Sequence, residues 1–397
     1  MLSRLTLQNL LSFGPEATSI ELRPLNVLIG PNGSGKSNFV EALSLLSSVP
    51  GELPKPIREG GGVAEWLWKG PGALPRASVD ALFGEHALGP KVPQRLRYHL
   101  EFHAVADRFE VDDERIENER AESGTTKPFF YFGYETGRPT LNVSAVGSSG
   151  PTKRTLQRED IDPTLSILAQ RRDVDTYPEL TRMGELLGQI LLYRKWQFGP
   201  DSAVRESCRV DVRTDRLEPG LTNLAARLAA LKRDASTKQA LLKGLQELSD
   251  AFTDLEVIPE GGRLSLYIHE GQDRSIPASR LSDGSLRYLA LLAILVDPQP
   301  PPLIVIEEPE LGLHPDVMLP LAELLVSASA RTQVVVTTHS DTLLSALRES
   351  PESIVVCERH DGRSALRRLQ ESEVSPFIEK YRLGELWLTG QLGGTRW

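Results

Sequence analysis

Leu25-Asn26-Val27-Leu28-Ile29 runs straight into Gly30-Pro31-Asn32-Gly33-Ser34-Gly35-Lys36-Ser37. The first five residues read as a strand buried on both faces, because apolar side chains stand at nearly every position rather than at alternate ones. The next eight satisfy G-x-x-x-x-G-K-[ST] at every fixed position. From Asn38 to Ser47, Phe39, Ala42, Leu43 and Leu46 recur at helical spacing. Strand, glycine-rich turn and helix in this order make a phosphate cradle. The glycines let successive backbone N–H groups point inward at an anion. The helix start adds free donors and the positive end of its dipole. Lys36 is expected to reach the β- and γ-phosphates of a nucleotide, and Ser37 to hold Mg2+ through its hydroxyl. Asn32, Gly33, Ser34, Gly35 and Asn38 are expected to line the same cradle.

A second apolar strand, Leu303–Ile306, ends in Glu307-Glu308-Pro309-Glu310. Adjacent carboxylates at a strand end beside a phosphate loop divide two tasks. One supports the metal, and the other orients and deprotonates an attacking water. Glu307 is assigned to the metal and Glu308 to the water. A third strand, Val334-Val335-Val336-Thr337-Thr338, ends in His339. Between loop and acids, Leu281-Ser282-Asp283-Gly284-Ser285-Leu286-Arg287 opens an apolar helix. By itself that stretch is more often a plain helix cap on Ser282 or Asp283.

Taken in order, the phosphate loop, Leu281–Arg287, the acidic pair and His339 resemble the ABC-class ATPases of the RecF/SMC/OLD-like type. The resembling segments are Leu5–Leu46, Ile276–Leu344 and the tail Tyr381–Gly394. The resemblance implies an α/β fold of the ABC head type in two lobes, a mixed β N-lobe and a parallel-sheet core, with a helical insertion and no long coiled coil. It implies ATP and Mg2+ as ligands, and His339 as the switch histidine that contacts the γ-phosphate. It implies a homodimer with ATP sandwiched head to tail, in which Ser282, Asp283 and Gly284 complete the partner's site. Catalysis would then rest on Glu308, His339 and Lys36. The implied role is an ATP-driven switch in DNA repair, recombination or anti-phage defence, acting on DNA or on a separate effector such as a nuclease or toxin. The alternative is a non-hydrolysing nucleotide sensor or scaffold. A transporter-associated ATPase is a weaker third option.

The departures from that pattern are informative. Ser282 lies 246 residues beyond Lys36, much farther than in transporter subunits. Only 57 residues follow Ser340, and Glu358, Asp361, Glu371 and Glu373 make no persuasive metal site, so no appended nuclease is expected. The Mg2+-sensing glutamine of ABC enzymes has two candidates, Gln170 and Gln197. An Asn-Lys-x-Asp guanine selector is absent, which favours ATP over GTP.

The chain divides into 1–150, an N-terminal part with the phosphate loop and an antiparallel β region; 151–260, a mainly helical insertion; and 261–397, with the remaining motifs and a short tail. Residues 50–75 read as a long loop, Asp112-Asp113 and Glu119–Glu122 as charged turns, Gly147–Pro151 as a boundary, and Thr164–Phe252 as mainly helical. His99, Glu101 and His103 share one strand face, which reads as a solvated ladder in preference to a metal site. The Arg171-Arg172 and Lys232-Arg233…Lys238 clusters suit a phosphate backbone or a solvated helix face. Trp66, Trp68, Trp196, Trp387 and Trp397 are too scattered for a base-stacking stripe.

The 397 residues carry 45 Lys+Arg against 54 Asp+Glu, a net charge of −9, which excludes a basic coat over the whole surface. Two cysteines, Cys208 and Cys357, make no disulfide framework and suit a cytoplasmic setting. The longest apolar run, Leu289–Val296, is far short of the ~20 residues that span a bilayer, and the N-terminal stretch lacks a signal-peptide core.

Overall fold

The structure is a computed structural model that describes residues 1–85, 87, 94–121, 124–143, 152–157, 160–378 and 381–394. The expected boundary at Gly147–Pro151, the end of the β region at 144–146 and Trp397 lie outside these residues.

Among the described residues, the central sheet has six strands in the order Ile190–Tyr193, Leu303–Glu307, Gln333–Thr337, Leu25–Ile29, Ile354–His360 and Arg363–Arg368. The first five run parallel and the last returns antiparallel. All five residues of Leu25–Ile29 and of Gln333–Thr337 are buried, as parallel strands covered on both faces must be.

The two-residue period of these strands divides the interior in two. Val27, Ile29, Ile304, Ile306, Val334 and Val336 face one core, which holds the helix Asp283–Leu295. Leu28, Val305, Val335 and Val355 face the other, with the helix Lys36–Ser48 and the eight-stranded antiparallel sheet. Leu286 to Leu295 are buried without a break, and apart from Arg287 and Tyr288 all are aliphatic, because the helix is surrounded. A smaller sheet pairs Phe252–Glu260, Arg263–Glu270, Cys208–Arg209 and Arg274–Pro277. The longest described helix, Ala235–Leu248, has 14 residues, so the described residues carry no long coiled coil. No described helix is long and apolar enough to cross a membrane.

Several local expectations need correction. The span 50–75 is not a plain loop, since it contains the short helices Lys55–Glu59 and Val63–Trp66, which bury Ile57 and Trp66. Asp112-Asp113 is not a turn. It lies inside the strand Arg108–Asn118, where the register against Leu96–Val105 slips at a bulge. The turn falls at Ala106-Asp107, both at positive φ, the geometry of a tight two-residue hairpin. Within Thr164–Phe252, the strand Ile190–Tyr193 interrupts the helices and forms one edge of the central sheet. His99 and His103 face Asp80 and Asp112, and Glu101 pairs with Arg76.

Candidate nucleotide-binding site

Three neighbouring parallel strands end side by side, and their C-terminal ends carry the loop, both acids and the histidine. Thr337 is in register with Glu307 on one side and with Leu28 on the other. Past the strand ends the ladder continues, with Glu308 N donating to Thr337 O at 2.9 Å and Thr338 N to Leu28 O at 3.1 Å. This crevice at the carboxyl ends of an open α/β sheet is where such sheets bind ligands.

The loop Gly30–Ser37 depends on its glycines. Gly33 and Gly35 have φ of 80° and 109°. A Cβ on Gly35 would fall 2.3 Å from Ser364 Oγ, too close for any side chain. Ser34 is buried, and its Oγ has no hydrogen-bond partner among the described residues. Asn32, Gly33 and Ser37 are exposed at the rim. Asn38 is turned away from the cradle, its amide donating to Ser12 Oγ at 2.7 Å. Lys36 is 6% exposed, and its ammonium donates to Gly30 O at 2.6 Å and Pro31 O at 3.1 Å. Burial lowers its pKa from the ordinary lysine value, with Glu308 and Glu310 among the charges opposing.

Glu308 has φ of 47°, a left-handed backbone that costs a non-glycine residue about 1 kcal/mol or more. Its carboxylate Oε1 lies 3.6 Å from His339 Nε2. Its backbone carbonyl accepts from Arg287 at 3.1 Å. Arg287 stands on the helix that begins at Asp283. Its guanidinium lies 5.3 Å from the Trp196 ring centre and 5.2 Å from that of Phe198. The His339 imidazole is held below its usual pKa by burial first and by Lys36 second, against Glu308 and Glu310.

Glu307 is drawn into an ion pair. Arg194 donates to Glu307 Oε2 at 2.7 Å and to Glu41 Oε1 at 2.8 Å. Burial opposes the Arg194 charge, but the two carboxylates outweigh it and raise its pKa. Among the described residues Glu307 Oε1 accepts no hydrogen bond.

Ser282 caps its helix, with Oγ accepting from Ser285 N at 3.0 Å. Asp283 pairs with Arg205. A Cβ on Gly284 would come within 2.6 Å of Gly312 O. No hydrogen bond or ion pair among the described residues joins Ser282, Asp283 or Gly284 to the loop Gly30–Ser37. Asp283 and Gly284 line a cleft with Trp196, Gln197 and Leu311, in which no residue of the loop Gly30–Ser37 takes part. Gln170 is committed elsewhere, its amide bonded to Asp162 and Leu165.

The residues present fit a triphosphate with Mg2+. Two buried oxygens near Lys36, Ser34 Oγ and Glu310 Oε2, lack partners among the described residues. No group of three His, Cys, Asp or Glu among the described residues could hold a metal by itself. Mg2+ suits such a place, because it takes one or two protein oxygens plus phosphates and water.

A family profile described as "AAA domain, putative AbiEii toxin, Type IV TA system" matches residues 25–345, from the start of the cradle strand to beyond His339. The chain belongs to this AAA-domain family. Among solved structures, an Smc head bound to the C-winged helix domain of ScpA matches this AAA-domain protein with a TM-score of 0.61. The two are 14% identical, over 94% of this chain and 99% of the other. An Smc head with an extended coiled coil, bound to the C-terminal domain of ScpA and derived from Pyrococcus furiosus, gives 0.56 at 14% identity over 96% and 98%. One with a coiled coil and joint, derived from Pyrococcus yayanosii, gives 0.51 at 12% over 96% and 99%. The fold of this AAA-domain protein is therefore that of an SMC-head-like P-loop ATPase. No curated protein matches.

Sequence reasoning about the AAA-domain chain missed three residues at this site. Arg194 follows a four-residue strand inside a span that reads as helical. Arg287 stands in sequence only as the end of the motif Leu281–Arg287. Glu310 Oε1 accepts from both Thr338 Oγ1 at 2.7 Å and His339 N at 2.8 Å, so it holds the histidine turn in place. The signal available for Glu310 was a third acid in Glu307-Glu308-Pro309-Glu310.

Proposed function

We propose that this protein binds ATP with Mg2+ in the loop Gly30–Ser37 and hydrolyses it. The observation that carries this reading is the meeting of Lys36, Glu308, Glu310 and His339 at the ends of adjacent strands. Lys36 leaves its carbonyl partners to neutralise the β- and γ-phosphates. Glu308 accepts a proton from the attacking water, and His339, neutral near pH 7, bonds the γ-phosphate through its ring N–H. Glu310 fixes the turn that carries His339. Ser37 and Glu307 Oε1 would hold Mg2+, which supplies charge neutralisation when bound. Arg194 fixes the other oxygen of Glu307. Gln197 lies four residues past the strand beside the acidic strand, so of the two glutamines it takes the metal-sensing role.

The cleft beside Ser282, Asp283 and Gly284 is separate from the cradle of its own chain. That separation supports a homodimer in which each of these helix starts covers the nucleotide of the partner. Closing on ATP and opening after hydrolysis would make the protein a switch acting in the cytoplasm on DNA or on an effector. The family description names a toxin of a type IV toxin–antitoxin system. That supports a defence setting over DNA repair.

Steady-state ATP hydrolysis with Mg2+, measured beside gel filtration with a non-hydrolysable analogue, tests both halves. Turnover that depends on Lys36, together with a nucleotide-dependent dimer, is the expected result. A chain that stays monomeric when saturated, or shows no turnover above background, overturns the reading.

A further inference from the structure

We propose that the C-terminal segment Leu392–Gly394 is a strap that positions the phosphate-binding loop to receive the triphosphate of a nucleotide. The proposal rests on the nucleotide reading above. Gly393 and Gly394 both take positive φ, 76° and 66°. Gly394 N donates to Glu358 Oε1 at 3.0 Å, and Trp387 Nε1 donates to Gly394 O at 3.2 Å. Arg367 donates to Leu392 O at 2.9 Å. These three bonds, two from side chains and one to a carboxylate, fix a short stretch with no regular structure of its own.

The strap is held against Gly30. A Cβ on Gly394 would lie 2.9 Å from Val356 Cγ1 and 3.5 Å from Gly30 Cα. A Cβ on Gly30 would lie 2.2 Å from Cys357 O, and one on Gly394 would lie 3.6 Å from the same oxygen. Gly30, the first residue of the loop, is thus crowded by both the Cys357 carbonyl and Gly394. The carbonyl of Gly30 accepts from Lys36 at 2.6 Å. Strap, loop base and the phosphate-seeking ammonium are therefore in one line of contact.

The other end of the strap is anchored near the histidine. The helix Leu383–Leu388 packs on the helix Asp341–Ala346, which Ser340 caps immediately after His339. Gly384 N donates to Ser345 Oγ at 3.1 Å, and a Cβ on Gly384 would meet Asp341 O at 2.2 Å. The tail thus spans from the helix behind His339 to the base of the phosphate loop. It sets the position of the loop relative to the histidine, which a bound triphosphate must touch at both ends. Glu358 and Trp387 act as positioning residues, through Gly394, and touch no nucleotide.

The test measures equilibrium binding of adenylyl imidodiphosphate with Mg2+, thermal unfolding without nucleotide, and the split between KM and kcat for ATP. The variants are Glu358→Ala and Trp387→Phe, with Lys36→Ala as the loop control. We expect both strap variants to bind the analogue about tenfold more weakly, the effect of one lost hydrogen bond of ordinary strength. KM should rise by a similar factor with kcat retained, and the unfolding temperature should stay within about 2 °C of wild type. A chain ending at Leu392 should bind no better than Glu358→Ala. Wild-type affinity in these variants overturns the proposal, as does an affinity loss that only tracks a lower unfolding temperature. Binding by the wild type that fails in Lys36→Ala but persists in the strap variants sinks the strap alone. No binding by the wild type, or equal binding by Lys36→Ala, sinks the nucleotide reading and the strap with it.

Discussion

The Glu308 carboxylate lies 3.6 Å from the His339 imidazole, Oε1 to Nε2, although the two residues belong to different strands. Both stand just past the strand ends, where Glu308 N still bonds to Thr337 O. Glu308 holds a left-handed backbone to be there. The proposed function places the acceptor of the water proton at this strained position.

Glu308→Gln keeps the shape and a hydrogen-bonding group but cannot accept a proton. We expect ATP turnover to fall by about 100-fold or more, the usual contribution of a general base. Nucleotide affinity should be retained, and the dimer should accumulate in the presence of ATP. Turnover rates beside scattering measurements check this, and undiminished hydrolysis in Glu308→Gln would remove Glu308 from the mechanism.

His339 gives a pH prediction. Burial and Lys36 lower its pKa in the native state, so between that value and ~6.5 the unfolded chain binds a proton that the native chain does not. Stability rises with pH wherever the unfolded state holds more protons. This histidine therefore withdraws stability as pH falls through ~6.5, and adds no further loss below its native pKa. Activity should fall on the acid side at a pH below the ordinary histidine value, as the ring takes a proton. In His339→Gln that acid limb should vanish from the pH–rate profile. An identical limb in wild type and variant would assign it to another group.

What could be read in advance was what is local. The cradle, the acidic strand and the histidine strand are continuous stretches whose apolar runs fix strand type and whose ends fix the chemistry. What needed the fold was non-local or short. Ile190–Tyr193 is only four residues long, so its period could not separate strand from helix. Ile354–His360 is an apolar run followed by charges, and its pairing with Leu25–Ile29 is set only by the fold. Asp112-Asp113 reads as a turn because charges cluster in turns, yet Asp112 pairs with Arg76 on a bulged strand. The role of Glu310 exists only because strand pairing brings Thr338 and His339 to it.

Arg194 bridges Glu41 and Glu307 from a half-buried position. Arg194→Ala leaves two carboxylates without their cation, which should cost about 2 kcal/mol of stability. It should also free Glu307 Oε2. The Mg2+ dependence of turnover should then shift, because the carboxylate is no longer neutralised or held in one orientation. Arg194→Lys restores the charge but cannot reach both acids with one planar fork, so it should recover only part of the stability. Denaturant unfolding and a Mg2+ titration of turnover separate these effects. If Arg194→Ala unfolds at the wild-type midpoint with an unchanged Mg2+ requirement, the bridge has no role.

Arg287 ties the helix that starts at Asp283 to the backbone of Glu308. Its guanidinium donates to Glu308 O at 3.1 Å while packing near the Trp196 and Phe198 rings. Burial lowers its pKa from the usual arginine value, yet it stays cationic at any working pH. Arg287→Ala removes the donor that helps keep Glu308 in its left-handed conformation, and that conformation sets the direction of the carboxylate. We expect ATP affinity to be kept and kcat to fall about tenfold, the effect of one charged hydrogen bond of modest net strength. Arg287→Lys should not rescue the loss, because an ammonium cannot present a planar face to both rings and donate to the carbonyl at once. Trp196 fluorescence reports on the packing in the same samples. A full kcat in Arg287→Ala, with Trp196 emission altered, would show that the contact serves packing and leaves Glu308 unaffected.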